Sequence, residues 1–209
     1  MIISRSILAG IAISLGAIVN LAIGQPIGPF LFATGLLIVI TLQLNLFTGK
    51  AGLLITNEYN PLDLFGVWLG NYVGCWFMAG AVLFLFPQNL SQKVIDGSIA
   101  IMAIRAESPW YTVVALGVMC GILMYAAVQG SAKASESCKP FVIIFPVATF
   151  IYCGFAHCVA DMFYYATAQM YSQTIFPLLL VTVGNLIGCN LPGLFLRAGN
   201  NTQSSYQFH

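Results

Sequence analysis

His157 is the side chain in this sequence best suited to moving a proton, because the only other histidine, His209, ends a polar tail. It stands in residues 154–158, which interrupt an otherwise apolar run. An ionisable group in such a run is costly in a membrane and is functional by default. We expect a neutral ring until an anion approaches and favours the charged form. The ring could then protonate that anion, or stay charged while the anion passes, and the sequence leaves both open.

Thr48 and Lys50 occupy a second interruption, at residues 43–50. A hydroxyl offers one donor and can also accept, which suits orienting a small oxyanion or an imidazole. A loop threonine can equally bond its own backbone. Lys50 could attract anions to the mouth of a pathway, or could simply extend to the membrane interface.

Asp161 follows His157 by four residues and shares its face if a helix begins at or before Val159. It could pair with the imidazole and favour its charged form. It could instead cap the new helix start, and we favour that role because a bare carboxylate would repel an anion.

The composition indicates an all-α integral membrane protein. Of 209 residues, 59% are hydrophobic and 6% are charged, whereas soluble domains carry roughly a quarter charged residues. At roughly 20 apolar residues per helix, the chain has room for about six spans and little else. Arg5 and the apolar run after it could be a signal peptide, but the further spans favour a first transmembrane helix. The net charge of +1 argues against nucleic-acid binding.

The six cysteines form no C-x-x-C pair, so we predict no metal site and no cofactor and interpret the cysteines as small buried residues. The apolar runs predict spans at about residues 6–24, 29–55, 63–86, 110–130, 140–170 and 176–196. The second and fifth are the interrupted ones. We expect a polar loop holding Lys93, Asp96, Arg105 and Glu107 after the third, and a polar, disordered tail at 198–209.

A short motif, G-N-x-x-G-C, occurs at residues 70–75 and again at 184–189, each time in the span after an interrupted one. The whole chain, 1–209, is therefore predicted to be one channel domain of two halves, about 1–100 and 101–197. Each half has an odd number of spans, so the halves must be inverted, as in proteins with a substrate site at the membrane midplane. The glycines suit close helix packing, and the amides of Asn71 and Asn185 are expected to hold the loops at the breaks.

The distribution of basic residues predicts the orientation. Arg5, Lys133, Lys139 and Arg197 fall on one side of the predicted membrane, and Lys93 and Arg105 fall on the other. The excess places both termini in the cytoplasm.

Together these segments resemble the formate/nitrite transporter family of formate, nitrite and hydrosulfide channels. The resemblance extends over nearly the whole chain. It depends on both G-N-x-x-G segments and on Leu8-Ala9-Gly10, Leu46-Phe47-Thr48, Gly154-Phe155-x-His157 and Ala160-x-Met162.

The resemblance implies an aquaporin-like protomer of six helices with its own pore, assembled as a homopentamer in the cell (inner) membrane. It implies that Thr48 faces His157 between two apolar constrictions. By position, one constriction consists of Leu46 and Phe47, on the cytoplasmic side, and the other of Phe32, Leu36 and Phe150. The chain departs from the family pattern at Ala156, Asp161, Pro109 and Tyr125, where glutamate, asparagine, lysine and asparagine are expected.

The resulting hypothesis is a channel or proton-coupled facilitator for the small monovalent anion of a weak acid, first of all formate, with nitrite or hydrosulfide as alternatives. A membrane-embedded haem or quinone enzyme would need a second intramembrane histidine, which the sequence lacks, so we predict that the chain is not an enzyme. A non-conducting scaffold would leave the paired breaks without a purpose.

Overall fold

The computed structural model describes the backbone of residues 2–206 and the side chains of residues 2–197. These residues form α-helices joined by turns, which confirms the all-α prediction. The helices in chain order are α1 (Ile2–Ile23), α2 (Gly28–Thr41), α3 (Phe47–Ala51), α4 (Pro61–Phe84), α5 (Gln88–Glu107), α6 (Trp110–Lys133), α7 (Lys139–Tyr152), α8 (Cys158–Ala168) and α9 (Tyr171–Tyr206).

Four of the described helices, α1, α4, α6 and α9 up to Arg197, are long and apolar enough to cross a membrane. By contrast, α2 and α7 have 14 residues each, fewer than the roughly 20 that a crossing needs. Each ends at a non-helical break, and a shorter helix follows, α3 in the first case and α8 in the second. The second and fifth spans are therefore discontinuous, as the sequence pattern indicated.

The same order of elements occurs twice. The series α1, α2 with α3, and α4 is repeated as α6, α7 with α8, and α9. Within each series the first helix packs extensively on the last, α1 on α4 and α6 on α9. The predicted boundary near residue 100 falls inside α5, which joins the two series.

Close helix packing explains the second glycine of each G-N-x-x-G-C motif. A Cβ atom built on Gly74 would lie 2.1 Å from the carbonyl oxygen of Ile7 in α1, and one on Gly188 would lie 2.1 Å from that of Val118 in α6. These neighbours are backbone atoms that cannot rotate away. Small residues at such positions let membrane helices approach closely.

We expect Gly74→Ala to destabilise the protein by about 2 kcal/mol or more, because the added methyl group overpacks the α1–α4 contact. Thermal unfolding of the detergent-solubilised protein measures the effect. Gly66→Ala is the matched control, since a Cβ at Gly66 on the same helix has nothing within 4 Å. Equal unfolding temperatures for the two variants would contradict this packing argument.

Two sequence predictions about polar segments are wrong. Residues 88–107 form the helix α5 and not a loop, and its buried positions, Ser91, Val94, Ser98, Met102 and Arg105, recur every three or four residues. That spacing places them on one helical face. The second wrong prediction is the disordered tail, because the backbone continues as α9 to Tyr206. Residues 207–209 of the predicted tail lie outside the described part.

Candidate functional site

The first break, residues 42–46, is held by the side chain of Asn71 in α4. Its Oδ1 accepts from the Phe47 N–H at 2.8 Å, where α3 begins. Its Nδ2 donates to the carbonyls of Ser6 at 2.8 Å and Asn45 at 2.9 Å. Unpaired backbone groups cost several kcal/mol each in hydrocarbon, so this amide makes a non-helical segment tolerable there.

Asn185 in α9 holds the second break, residues 153–157, in the same way. Its Oδ1 accepts from the Cys158 N–H at 2.8 Å, and its Nδ2 donates to the carbonyls of Gly117 and Ala156, both at 2.8 Å. Each asparagine therefore binds one helix start, one carbonyl in its own break and one carbonyl on the first helix of its own half.

The motif cysteines connect the two halves, a role that their interpretation as small buried residues missed. The Cys75 thiol donates to the Val159 carbonyl in α8, and the Cys189 thiol donates to the Thr48 carbonyl in α3, both at 3.3 Å. Both cysteines are buried. A cysteine at the same motif position on facing helices was the available sequence signal.

Thr48 and His157 meet where α3 and α8 begin. Thr48 Oγ1 lies 2.9 Å from His157 Nε2, and the two residues are 1% and 2% exposed. His157 also caps α8, because its Nδ1 accepts from the Ala160 N–H at 3.2 Å. An Nδ1 that accepts cannot carry a proton, so the neutral ring has its hydrogen on Nε2 and donates it to Thr48.

Aromatic rings adjoin the imidazole on one side. Phe150 stacks on His157 with ring centroids 5.7 Å apart and planes 19° apart. Phe32 contacts Phe150 edge-on at 5.8 Å. The side chains that the resemblance assigned to constrictions are all buried: Phe32, Leu36, Leu46, Phe47 and Phe150.

Two separate cavities approach this centre. One of about 270 Å³, the outer cavity, reaches His157 and Phe150. The other, of about 390 Å³, the lysine cavity, reaches Leu46 and Gly49 on either side of Thr48 in sequence. No residue lines both. The hydrogen bond between Thr48 and His157 therefore lies between the two cavities, with Phe150 lining the outer one and Leu46 the lysine cavity.

The lysine cavity is named for Lys50 and Lys139, which both line it. The Lys50 ammonium lies 5.7 Å from the centroid of the Tyr59 ring, within the range of a cation–π contact. Lys139 pairs with the exposed carboxylate of Glu136. This opening thus holds one lysine paired with a carboxylate and one, Lys50, without a carboxylate partner among the described residues; the sequence left two roles open for Lys50.

Asp161 pairs with Arg105 of α5, so neither role considered for it from the sequence is correct. Arg105 Nε lies 3.4 Å from Asp161 Oδ2, and Arg105 Nη2 donates to the Gly154 carbonyl at 3.2 Å. The side chains of this pair are 7% and 3% exposed. His157 supplies the cap that was assigned to Asp161. Arg105 also lines the outer cavity, yet the sequence interpretation had placed it in a loop.

The family model for formate/nitrite transporters matches residues 1–197. The chain belongs to the formate/nitrite transporter family. Members of this family are channels and transporters, so the prediction that the chain is not an enzyme is confirmed. Family membership together with the apolar helices makes it an integral membrane protein.

Related transporters and channels are moderately similar in sequence. The formate channel FocA of Haemophilus influenzae is 28% identical, with 78% of this chain and 69% of that protein covered. A formate-nitrite transporter of Entamoeba histolytica is 27% identical, covering 88% of this chain and 60% of that protein. Escherichia coli FocA is 26% identical over 66% of this chain and 51% of its own length. The chain thus spans between half and about two thirds of the length of these relatives.

Solved structures of the family share the fold. One described as an FNT family ion channel superposes with a TM-score of 0.80 at 23% identity, covering 95% of this chain and 89% of the other. Another, described as a pentameric formate channel with formate bound, gives a TM-score of 0.73 at 24% identity over 97% and 95% of the two chains. The all-α membrane architecture is therefore that of the family.

The departures from the family pattern have distinct surroundings. Ala156 donates its N–H to the Leu116 carbonyl at 3.2 Å, and Pro109 precedes the first turn of α6. The Tyr125 ring packs beside Gly52. None of these three lines the outer cavity, whereas the Arg105–Asp161 pair does. Nothing in the sequence signalled Arg105, because its burial depends on how α5 packs.

Proposed function

We propose that this family member is a channel or proton-coupled facilitator for small monovalent anions of weak acids, with formate as the expected substrate. Nitrite and hydrosulfide are the alternatives within the same family. The supporting observation is the buried Thr48–His157 hydrogen bond of 2.9 Å between two cavities. The formate channels among its relatives agree with this choice of substrate.

The mechanism begins with a neutral His157 that donates to Thr48. Because Thr48 Oγ1 accepts from Nε2, its own hydrogen remains available to an arriving anion. The anion's charge favours the imidazolium, so the neutral ring takes a second proton on Nδ1 from solution and releases the Ala160 N–H. The Nε2 proton then passes through the Thr48 hydroxyl to the anion. The products are the neutral acid and the neutral ring, with the proton on Nδ1. Loss of that proton to solution and return of a proton to Nε2 restore the cap.

A neutral permeant explains why the constriction beyond the centre can be apolar. We assign Leu46 and Phe47 to one constriction, and Phe32, Leu36 and Phe150 to the other. A bare charge crossing these side chains would lose its hydration without compensation. The acid formed at Thr48 would not.

Basic residues support an orientation with both termini in the cytoplasm of a cell whose inner membrane holds the protein. Lys50 lines the same cavity as Lys139, and Arg197 donates to the Ile55 carbonyl at the same end. With Arg105 buried, Lys93 is the exposed basic residue at the opposite end among the described side chains. The positive-inside rule then favours a cytoplasmic lysine cavity. We also propose a homopentamer, the assembly named for one structural relative.

The test is uptake by proteoliposomes of labelled formate, nitrite and hydrosulfide at several pH values, with a luminal pH indicator. We expect formate uptake well above that of protein-free vesicles, accompanied by luminal acidification. Rates equal to those of protein-free vesicles for all three would eliminate the channel and favour the scaffold. Formate uptake without acidification would instead support passage of the bare anion.

A further inference from the structure

A residue in the wall of the outer cavity, Tyr164, has a buried hydroxyl with no hydrogen-bond partner among the described residues. Among the residues whose side chains the structure describes, Tyr164 has the one buried side-chain oxygen without such a partner. Tyr164 is 3% exposed and lines the cavity that reaches His157. The Asn20 amide, which lines the same cavity, is close enough to influence the hydroxyl but lacks hydrogen-bond geometry. A buried hydroxyl left unpaired is costly, which calls for a ligand that satisfies it.

Arg105 presents a matching pair of donors to the same cavity. Its Nε and Nη2, which share one edge of the guanidinium, bind Asp161 and the Gly154 carbonyl. On the other edge, Nη1 has no partner among the described residues, and Nη2, which donates to Gly154, carries a second N–H beside it. Such a fork matches the two oxygens of a planar oxyanion. The two contacts already made fix its orientation.

Asp161 sets the strength of this site. Its carboxylate cancels much of the guanidinium charge at a separation of 3.4 Å. Conduction requires binding that is favourable enough for entry and weak enough for release. A paired arginine meets that requirement better than a free one, and this explains why an anion pathway can contain a buried carboxylate.

We propose that Arg105 and Tyr164 form a recognition site for small planar oxyanions in the outer cavity, beside His157. The anion receives two hydrogen bonds from the Arg105 fork and one from the Tyr164 hydroxyl before it moves on to Thr48. Hydrosulfide has a single heavy atom and cannot occupy both donors of the fork. The site therefore favours formate or nitrite over hydrosulfide, an inference that rests on the proposed channel function.

Tyr164→Phe provides the sharpest test, because the hydroxyl it removes makes no hydrogen bond among the described residues. We expect the variant to fold normally and its half-saturating concentration for labelled formate uptake to rise about tenfold, since hydrogen bonds to charged groups are the strong ones. Tyr165→Phe is the matched control: its ring packs against Tyr72, Trp76 and Tyr171, and its formate uptake should remain unchanged.

Arg105→Lys keeps the charge and removes the fork. We expect the ratio of formate to hydrosulfide uptake to fall about tenfold, while Lys93→Gln, which removes an exposed charge from the same helix, leaves the ratio unchanged. If Arg105→Lys does not fold, the double variant Arg105→Gln with Asp161→Asn is measured in its place. It removes both charges together and also lacks the fork, so the same fall in the ratio is expected.

The outcomes separate this site from the channel itself. No formate uptake by the unaltered protein would overturn the proposed function. A second outcome is formate uptake by the unaltered protein, with both variants close to it: the half-saturating concentration of Tyr164→Phe and the formate-to-hydrosulfide ratio of Arg105→Lys each differ from the unaltered values by less than twofold. That outcome would overturn the recognition site and leave the channel standing.

Discussion

Proteoliposomes carrying His157→Asn should take up labelled formate at least about tenfold more slowly than those carrying the unaltered chain, because a positioned proton donor contributes about 10²–10⁴-fold to a proton transfer. Asparagine is among the favoured N-cap residues, so α8 should keep its start. The variant removes the titratable ring and its bond to Thr48. Formate uptake and luminal pH are measured together, at acidic and neutral pH.

Two threonine variants are the matched pair for this experiment. Thr48→Ser keeps the hydroxyl and should retain uptake within about twofold, whereas Thr48→Val has nearly the same shape without the hydroxyl and should be as slow as His157→Asn. Undiminished uptake by His157→Asn at both pH values would exclude a proton relay through the imidazole. Equal rates for Thr48→Ser and Thr48→Val would remove the hydroxyl from the mechanism.

Asn185→Ala should lower the free energy of unfolding by about 2–6 kcal/mol, since three buried bonds are lost and each is worth about 0.6–2 kcal/mol in a membrane. The Cys158 N–H and the carbonyls of Gly117 and Ala156 would be left unpaired. Denaturant or thermal unfolding of the detergent-solubilised protein measures the loss.

Asn71→Ala should destabilise the protein by a similar amount, because Asn71 makes the equivalent three bonds at the first break. Asn45→Ala is the control, since the Asn45 side chain makes an exposed bond of 3.3 Å to the Ile2 carbonyl. Wild-type stability in both Asn71→Ala and Asn185→Ala would show that the breaks are held by other contacts.

The sequence predicted the discontinuous spans because their physical cause is local. Polar residues and glycines that interrupt an apolar run identify the positions where a helix stops, and the repeated motif identifies the helices that support those positions. The prediction of a disordered tail was wrong where α9 continues, because polarity indicates solvent contact and not disorder. The same mistake turned α5 into a loop, because three of its five buried positions are the polar residues Ser91, Ser98 and Arg105.

At the site, Thr48 and His157 were placed opposite each other through the family resemblance, whereas neither spacing nor composition could have paired them across 109 positions. The Arg105–Asp161 pair was missed for a related reason. An ion pair depends on how α5 packs on α8, which is a tertiary contact between segments 56 residues apart. From residue type alone, Asp161 was predicted to cap a helix and Arg105 to lie in a polar loop.

The cap on α8 has a consequence for water in the pathway. With Nδ1 occupied by the Ala160 N–H, the resting centre offers a hydrogen through Thr48 and leaves no free ring nitrogen to accept one. A water molecule there would meet the Thr48 hydroxyl hydrogen and no basic ring nitrogen. On the proposed mechanism, the helix cap therefore ties proton movement through the ring to the arrival of an anion.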